Sequence, residues 1–444
     1  MANTATTLRR TIGPLQATAM VVGTIIGASI FVQPSTVTGA VPSVVGIIAV
    51  WLLAGLLTLG GSLIAAELSA AFPATGGVYI YLTRAFSPAL GFLWGWAMFW
   101  TMHTGIIAAI AMVFARYLGV LLPMGDAGLR LVAAGAVIVL SAVNYIGVKQ
   151  GSGLQTGLTI AKVAAIIIVI GAAFVVGPRV AVSSPMLAST SSSGFLLAVA
   201  AGLFAFGGWH MVTYAAGETI DPARTIPRAL VIGTTIVTGC YVLLNAAYLH
   251  VLPLERVAAS TRVAADAADA VLGRGGAVLM ASLVVVSTFG ALSGIVLAGP
   301  RAYLAMAADG IVFRRLGDIH PRFQTPSWAI GAQCAWACVL IGTGSYRVLV
   351  SRVVYTEWIF FALMAIGLVL LRRRSGFAPT FRAPLGSALP IVFAIAALLV
   401  AANQIVSAPA ESLTGIALVL AGWPVYRLWV RRLGDAAPLA AGAD

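Results

Sequence analysis

The sequence predicts an all-α membrane protein with twelve transmembrane helices, and three observations lead to that prediction. Hydrophobic residues make up 60% of the 444 positions and charged residues only 9%, a balance far outside that of soluble domains. Apolar stretches long enough for a spanning helix of about 20 residues recur along the whole chain. The first and the sixth of these stretches are both interrupted by glycines, which indicates two related halves.

The apolar stretches follow one another with short polar connections. They lie near residues 15–36, 43–70, 90–122, 129–147, 155–176, 195–216, 228–251, 276–306, 328–343, 350–371, 388–407 and 412–430. Under this layout, seventeen of the 26 Lys and Arg residues fall on the side of the two termini and eight fall on the other. Cytoplasmic loops show this bias. We therefore predict a multi-pass protein of the cytoplasmic (inner) membrane, with both termini in the cytoplasm.

One membrane domain accounts for nearly the whole chain, because no Pro-, Gly- or Ser-rich linker separates two soluble parts. We assign residues 1–434 to this transmembrane domain and 435–444 to a short cytoplasmic tail. Within the domain, 12–176 form a first repeat, 195–371 form a second repeat and 388–432 form two additional helices. The net charge of +13 is scattered over many loops, so it predicts no nucleic-acid partner.

Glycines interrupt the first span in "GTIIGASIF" (23–31) and the sixth span in "LFAFGGWH" (203–210). A glycine inside a helix costs roughly 1 kcal/mol relative to alanine. One interpretation is that these glycines only permit close helix packing. The other, favoured by their matching positions five spans apart, is a pair of broken helices around a binding site at the middle of the membrane.

Backbone groups released at the two breaks would form the candidate substrate site. The half-helix that begins near Ala28, Ser29 and Ile30 directs its positive end at the gap, which suits a carboxylate. Carbonyl oxygens freed at the breaks suit an ammonium group. The predicted substrate-binding residues are Thr24, Ile25, Ile26, Gly27, Ala28, Ser29, Ile30, Phe204, Ala205, Phe206 and Gly207, with Phe204 also the candidate gate.

Lys162 is the one ionisable residue, histidines aside, that falls near the middle of a predicted span. A lysine at that depth costs about 2.5 to 3.5 kcal/mol, which favours a side chain that faces the bundle interior and bonds carbonyls or hydroxyls. The alternative is that its ammonium group reaches the cytoplasmic interface near residues 153–155, roughly 10 to 14 Å away along the helix. We predict a coupling or structural charge, which either props the broken span or takes up and releases a proton.

Glu67 and Glu218 lie at the cytoplasmic ends of spans 2 and 6, and Glu357 lies nearer the outer side in span 10. The favoured interpretation of all three is an ion pair at the membrane interface. The candidate partners of the first two are Arg84, Arg224 and Arg228. His103 and His210 lie within spans 3 and 6, where a buried neutral ring with one hydrogen bond is favoured over a proton relay.

The sequence carries no enzyme motif. It has neither HExxH nor GxSxG, and no paired Asp or His-carboxylate cluster within a span, so we predict no catalysis, no metal and no cofactor. Cys240, Cys334 and Cys338 fall in or beside spans without a CxxC motif and are interpreted as packed small hydrophobes. A channel or a non-transporting sensor stays an alternative; it would show conductance, or binding without uptake.

Three stretches resemble the amino-acid/polyamine/organocation (APC) transporter superfamily: "VGTIIGASIFVQP" (22–34), "FAFGGWHMVTYAAGETIDPARTIPRAL" (204–230) and "GPRAYLAMAADGIVFRRLGDIHPRFQTP" (299–326). The glycine break followed by Trp and the "IPRA" entry to span 7 are most similar to its L-type amino acid transporter branch. The similarity extends over almost the whole chain.

The resemblance implies a LeuT-like fold, with ten core helices in two inverted five-helix repeats and two peripheral helices. It implies that the substrate carboxylate meets the amides of Ala28, Ser29 and Ile30, and that the amino group meets the carbonyls of Ile25, Phe204 and Gly207. Phe204 matches the aromatic gate of the family. Lys162 matches the lysine that replaces the second sodium ion of sodium-coupled relatives, bridging spans 5 and 1 near Gly27.

Three positions depart from the family pattern. The usual small-Ser-Gly step after Gly27 is Ala28-Ser29 here, which removes a hydroxyl from one position and adds one at the next, so the carboxylate contact and the pocket volume are expected to differ. His210 stands where Asn is common, and His103 stands where the branch often has a basic residue. Selectivity for the substrate side chain is therefore expected to differ.

Together these features predict secondary active transport of amino acids by alternating access, independent of sodium, through exchange or proton symport. No Asp, Glu, Arg or Lys flanks either break, so a neutral amino acid is the expected substrate. The alternative is a cationic amino acid or polyamine transporter of the same fold, which would require a carboxylate in the cavity. The expected partners are the amino acid and the lipid bilayer; a homo-oligomer and a single-span partner both stay open.

Overall fold

The computed structural model describes residues 8–178, 191–345 and 355–433. In these ranges the chain is helical, apart from connecting loops and an isolated bridge that joins Ile12 to Thr219. The helices of the first half are α1 Pro14–Ile25, α2 Ser29–Ala40, α3 Val44–Ala71, α4 Val78–Ala85, α5 Pro88–Trp100, α6 Met102–Leu121, α7 Asp126–Ile146 and α8 Val148–Val175.

The second half continues the all-helical pattern. Its α-helices are α9 Ser192–Ala205, α10 Pro222–Val251, α11 Leu254–Ala259, α12 Val263–Leu272, α13 Gly276–Ala308, α14 Ser327–Thr343, α15 Thr356–Leu371, α16 Ala388–Ser407, α17 Pro409–Leu420 and α18 Gly422–Leu433. Short 3-10 helices cover Trp209–Glu218, Gly273–Gly275 and Arg314–Gly317. The prediction of an all-α membrane fold is confirmed.

Nine helical stretches of the described residues are long and apolar enough to cross a membrane, and the bent pair α1–α2 raises the number to ten. Two shorter apolar helices, α14 and α15, lie at the predicted ninth and tenth spans. The total of twelve and the two-repeat arrangement stay predictions, because residues 346–354, just before α15, lie outside the described ranges.

The first break separates α1 from α2 by three residues and turns the helix axis by 47°. The two glycines of this segment have different roles. A Cβ on Gly23 would collide with the side chains of Gln155 and Thr159, so Gly23 permits close packing of α1 on α8. A Cβ on Gly27 would meet that of Ala291 at an ordinary 3.7 Å, so Gly27, which lies within the break, is not required for packing.

The second break lies between α9 and the 3-10 helix that begins at Trp209. Gly208 has φ +97°, a left-handed conformation that side chains rarely adopt. A Cβ added there would lie 3.1 Å from the carbonyl oxygen of Thr24. The two breaks are therefore in direct contact, and Gly208 is required both by its dihedral angle and by that contact.

Long helices enclose the paired breaks. Helix α10 packs on α3 and α1, and α13 packs on α6, α8 and α1. Most residues of α13 are buried, because this helix runs through the middle of the molecule. The polar side chains of α8, α10 and α13 that face the breaks are consequently shielded from solvent and lipid.

Candidate functional site

A cavity of about 200 Å³ lies against both breaks. Eight of the eleven residues predicted to bind substrate are on its wall: Thr24, Ile25, Gly27, Ala28, Ser29, Phe204, Ala205 and Gly207. The other three, Ile26, Ile30 and Phe206, are fully buried and are not on the wall. The two glycine interruptions thus lie at one common cavity, but the sequence pattern alone does not distinguish residues on its wall from those behind it.

The amino-terminal end of α2 faces this cavity with Ala28 and Ser29. Ala28 is the N-cap residue and has no side chain that could bond the first amides. The first amides of a helix have no partner within the helix, and the helix dipole adds positive potential at the same end. This part of the wall therefore suits a carboxylate.

Carbonyl groups of the breaks are held by Tyr241 of α10. Its hydroxyl lies 3.1 Å from the Ile25 carbonyl oxygen and 3.0 Å from that of Ala205, so it links the two breaks. The Ile25 carbonyl also accepts the Gly27 amide at 2.8 Å. A substrate ammonium group would compete for Ile25, whose two lone pairs are both used. Sequence reasoning missed Tyr241, because a tyrosine within a span gives no signal of such a contact.

Lys162 of α8 lies fully buried behind the first break. Its Nζ atom donates to the carbonyl oxygens of Gly23 at 3.0 Å, Ile26 at 2.8 Å and Ser287 at 2.9 Å. The three donors of the ammonium group are thereby matched with three acceptors. The Ser287 hydroxyl adds a bond of 3.2 Å to the Ile26 carbonyl. These contacts join α8 and α13 to the break, and their role in transport stays a prediction.

Aromatic side chains form another part of the cavity wall. Phe204, the candidate gate, has 46% of its surface exposed and lines the cavity together with Trp358 and Phe361 of α15. Phe206 points elsewhere, with its ring centroid 4.8 Å from that of Tyr241. The position of Phe204 is compatible with gating, which remains untested.

The two histidines lie in the buried core close to the site. His103 Nε2 lies 2.9 Å from the Ile295 carbonyl oxygen, the single hydrogen bond expected of a buried neutral ring. His210 packs among Trp94, Trp209 and Phe361, and its Nδ1 atom is buried with no hydrogen bond inside the described ranges. Neither arrangement forms a continuous relay.

Glu357 corrects the expectation of an interfacial ion pair. It is the second residue of α15 and lines the cavity beside both breaks. Among the described residues it belongs to no ion pair. The sequence contained the signal, an acid inside a predicted span, but the position of that span relative to the breaks could not be read from it.

Glu67 and Glu218 form ion pairs as expected, but with other arginines than predicted. Arg301 donates to Glu218 from Nε at 2.8 Å and from Nη2 at 3.1 Å, and both side chains are completely buried. Arg372 likewise donates from Nε and Nη2 to the two carboxylate oxygens of Glu67. The expected Arg84, Arg224 and Arg228 are wrong as partners, because the buried pairs join distant helices and such contacts are not encoded in local spacing.

A tyrosine–carboxylate contact lies near these ion pairs. The hydroxyl of Tyr79, in the short helix α4, donates to the carboxylate of Asp309 just after α13. Burial first, and the Asp309 charge second, raise the pKa of Tyr79 well above its usual range. The Tyr79 proton therefore stays in place at physiological pH, and this link is not a pH switch.

The cysteines are all free, with Cys240 buried and Cys334 and Cys338 half-buried. A search of the described residues for groups of three or more His, Cys, Asp or Glu side chains that could hold a metal ion finds none. The cavity is thus lined by residues of both breaks, by aromatic and aliphatic residues, by the hydroxyl residues Thr24 and Ser29, and by Glu357.

Comparison with known proteins gives matches over nearly the whole chain. A family model described as amino acid permease matches residues 12–424. The serine/threonine exchanger SteT of Bacillus subtilis (strain 168) is 32% identical over 423 residues, which cover 94% of this chain and 96% of the relative. The b(0,+)-type amino acid transporter 1 of Mus musculus is 31% identical over 435 residues, covering 96% and 89%. The large neutral amino acids transporter small subunit 2 of Homo sapiens is 30% identical over 440 residues, covering 95% and 81%.

Proposed function

The chain belongs to the amino acid permease family within the APC superfamily, and from this premise we propose that it transports amino acids by sodium-independent secondary active transport. The observation that carries the proposal is the single cavity shared by two helix breaks. Such paired breaks present unpaired backbone groups of both polarities at one place. They can thus bind both charges that every amino acid carries.

Each end of the substrate backbone has a matching part of the wall. The carboxylate would bind the first amides of α2 at Ala28, Ser29 and Ile30, where the helix dipole is favourable. The ammonium group would bind carbonyl oxygens of Ile25, Phe204 and Gly207. Because the Ile25 carbonyl already accepts two hydrogen bonds and the Phe204 carbonyl accepts the Gly207 amide at 3.2 Å, the Gly207 carbonyl is expected to contribute most.

Sodium independence is proposed because Lys162 supplies a buried positive charge at the break. Its three bonds tie the carbonyls of Gly23, Ile26 and Ser287 together, as a bound cation would. A second cation at the same carbonyls would be repelled by the ammonium group. Exchange and proton symport both stay candidate modes, and the name of the B. subtilis relative supports exchange.

Alternating access is proposed to move the two breaks relative to the surrounding helices, in a fold of twelve spans with two inverted five-helix repeats in the cytoplasmic membrane. The buried Glu218–Arg301 pair connects the end of the second break to α13. We propose that this pair closes the predicted cytoplasmic side of the site and that it separates when that side opens.

The sequence beside the breaks favours a neutral amino acid as the substrate class, because no charged residue flanks either break. A cationic amino acid or polyamine is the second candidate, and one observation favours it. The carboxyl group of Glu357 lies on the cavity wall, where such a substrate would need a negative charge.

The test is uptake of labelled amino acids into proteoliposomes that are either empty or preloaded with unlabelled amino acid. Each preparation is measured with and without sodium and with and without an inward proton gradient. We expect sodium to have no effect. Uptake confined to preloaded vesicles would establish exchange, and gradient-driven uptake into empty vesicles would establish proton symport. Absence of uptake for every amino acid would refute the proposed function.

A further inference from the structure

Glu357 is a carboxyl group at the substrate cavity that is left without an assigned partner. It occupies the first turn of α15 and shares the cavity wall with Ser29 of the first break and Phe204 of the second. Its neighbours on the same helix, Trp358 and Phe361, also line the cavity. Glu357 therefore shares the cavity wall with aromatic residues, in the same cavity where the substrate backbone is proposed to bind.

No positive charge among the described residues pairs with this carboxyl group. The ion pairs recorded there are Arg224–Asp221, Arg262–Asp266, Arg301–Glu218 and Arg372–Glu67. Lys162, the other fully buried cation, donates to three carbonyl oxygens. Within residues 8–178, 191–345 and 355–433, the buried cations are thus committed elsewhere.

A carboxyl group in apolar surroundings needs a hydrogen-bond donor or a cation, because its desolvation is otherwise uncompensated. The α-ammonium and α-carboxylate of the substrate are matched by backbone groups of the breaks. The remaining part of the substrate that could supply a donor is its side chain. An acidic group on an otherwise apolar and aromatic wall therefore selects among amino acids by what their side chains donate.

We propose that Glu357 is a specificity-determining residue that binds the side chain of the transported amino acid, with preference for a cationic side chain over a neutral donor and for a neutral donor over an aliphatic group. The proposal rests on the proposed function and names the substrate class of the same cavity. It reverses the order of the two substrate classes that the flanking sequence suggests.

The test compares two pairs of substrates of nearly equal shape, lysine with norleucine and threonine with valine. Each compound competes with a labelled substrate for uptake by the purified full-length chain in proteoliposomes. Four proteins are used: the unsubstituted chain, Glu357→Gln, Glu357→Leu and, as a matched control, Glu411→Gln. Glu411 is an exposed acid on α17, so the control makes the same chemical change outside the cavity.

The unsubstituted chain is expected to bind lysine more tightly than norleucine and threonine more tightly than valine. Hydrogen bonds to charged groups contribute about 1.5 to 3 kcal/mol, so Glu357→Gln should reduce the lysine advantage by roughly ten- to a hundredfold. The amide can still bond a hydroxyl, so the threonine advantage should persist in Glu357→Gln and disappear in Glu357→Leu. Glu411→Gln should keep both ratios.

Two results would overturn the proposal. One is an unsubstituted chain that prefers norleucine and valine, and the other is a pair of ratios that neither Glu357 substitution changes. In both cases transport itself would continue, so the proposed function would stand. Absence of uptake for every amino acid would refute both the proposed function and the role of Glu357. If the two variants unfold, Glu357→Asp keeps the carboxyl group, and loss of lysine selection in folded Glu357→Asp would also count against the proposal.

Discussion

Replacement of Lys162 by alanine tests how a positive charge supports the first helix break. The side chain holds three carbonyl oxygens at 2.8 to 3.0 Å, two of which belong to the break and one to α13. After truncation these oxygens would not lose their partners equally. The magnitude of the effect can therefore be worked out acceptor by acceptor.

The Ile26 carbonyl would retain the Ser287 hydroxyl at 3.2 Å, and the Ser287 carbonyl lies within α13, where helix bonding continues. The Gly23 carbonyl would be left alone, because the Gly27 amide turns to Ile25 instead. One buried unsatisfied acceptor costs about 1 to 3 kcal/mol, and the lost charged bonds add to this. Removal of the buried ammonium group returns part of the cost. A net loss of about 2 to 4 kcal/mol corresponds to roughly a 30- to 700-fold fall in the ratio of molecules with an intact first break to those without one.

Lys162 itself is not on the cavity wall, so substrate binding should be less affected than transport. We expect Lys162→Ala to lose counterflow activity in proteoliposomes and to keep residual binding, measured by ligand-induced thermal stabilisation. Lys162→Met preserves the length of the side chain without its charge and should behave like the alanine variant. Lys149→Ala, an exposed lysine on the same helix, is the control. Transport at the unsubstituted rate in Lys162→Ala would refute the reasoning, and rescue by methionine would show that packing matters rather than charge.

Three further substitutions test other contacts of the site. Gly208→Ala forces a residue with a Cβ into a left-handed backbone conformation, which costs about 1 to 2 kcal/mol before any collision is counted. We expect a lower unfolding temperature and reduced uptake. The control Gly239→Ala places its Cβ in open space and should change neither. Tyr241→Phe removes the hydroxyl that links the two breaks, and since a hydrogen bond contributes about 0.5 to 1.5 kcal/mol, the unfolding temperature should fall. An unchanged unfolding temperature would show that the link is dispensable. Glu218→Gln leaves Arg301 buried without its counter-charge, so unfolding should cost about 3 to 5 kcal/mol less, and the double variant with Arg301→Met should recover part of this loss in thermal unfolding.

The broken helices were predictable because their signal is local. Glycines inside an apolar span violate helix propensity, and the repetition of that violation five spans later distinguishes it from ordinary packing. The sequence could not distinguish Gly23, which permits α8 to approach, from Gly27, where a side chain would have room. That difference depends on what stands opposite each glycine, and opposing residues are more than a hundred positions away.

The interior position of Lys162 and the type of its partners were predictable for a similar reason. A charge in the middle of a span is costly wherever it points, so an interior location with oxygen partners follows from depth alone. The identity of its partners on α13 and the bridging hydroxyl of Tyr241 were not accessible, because both contacts join helices that are far apart in the chain. The ion pairs of Glu67 and Glu218 show the same limit: pairing was expected correctly, but the arginines were sought nearby in sequence.

The two kinds of recognition proposed for the cavity should respond differently to substitution. The amides and carbonyls at the breaks belong to the backbone, so their positions change only if the breaks themselves change. They can recognise the part that all amino acids share. The wall also includes the residues Phe204, Glu357, Trp358 and Phe361, whose side chains can be exchanged without rebuilding a helix. Substitutions on α15 should therefore alter which amino acid is carried, whereas substitutions at the glycines should alter whether any amino acid is carried at all.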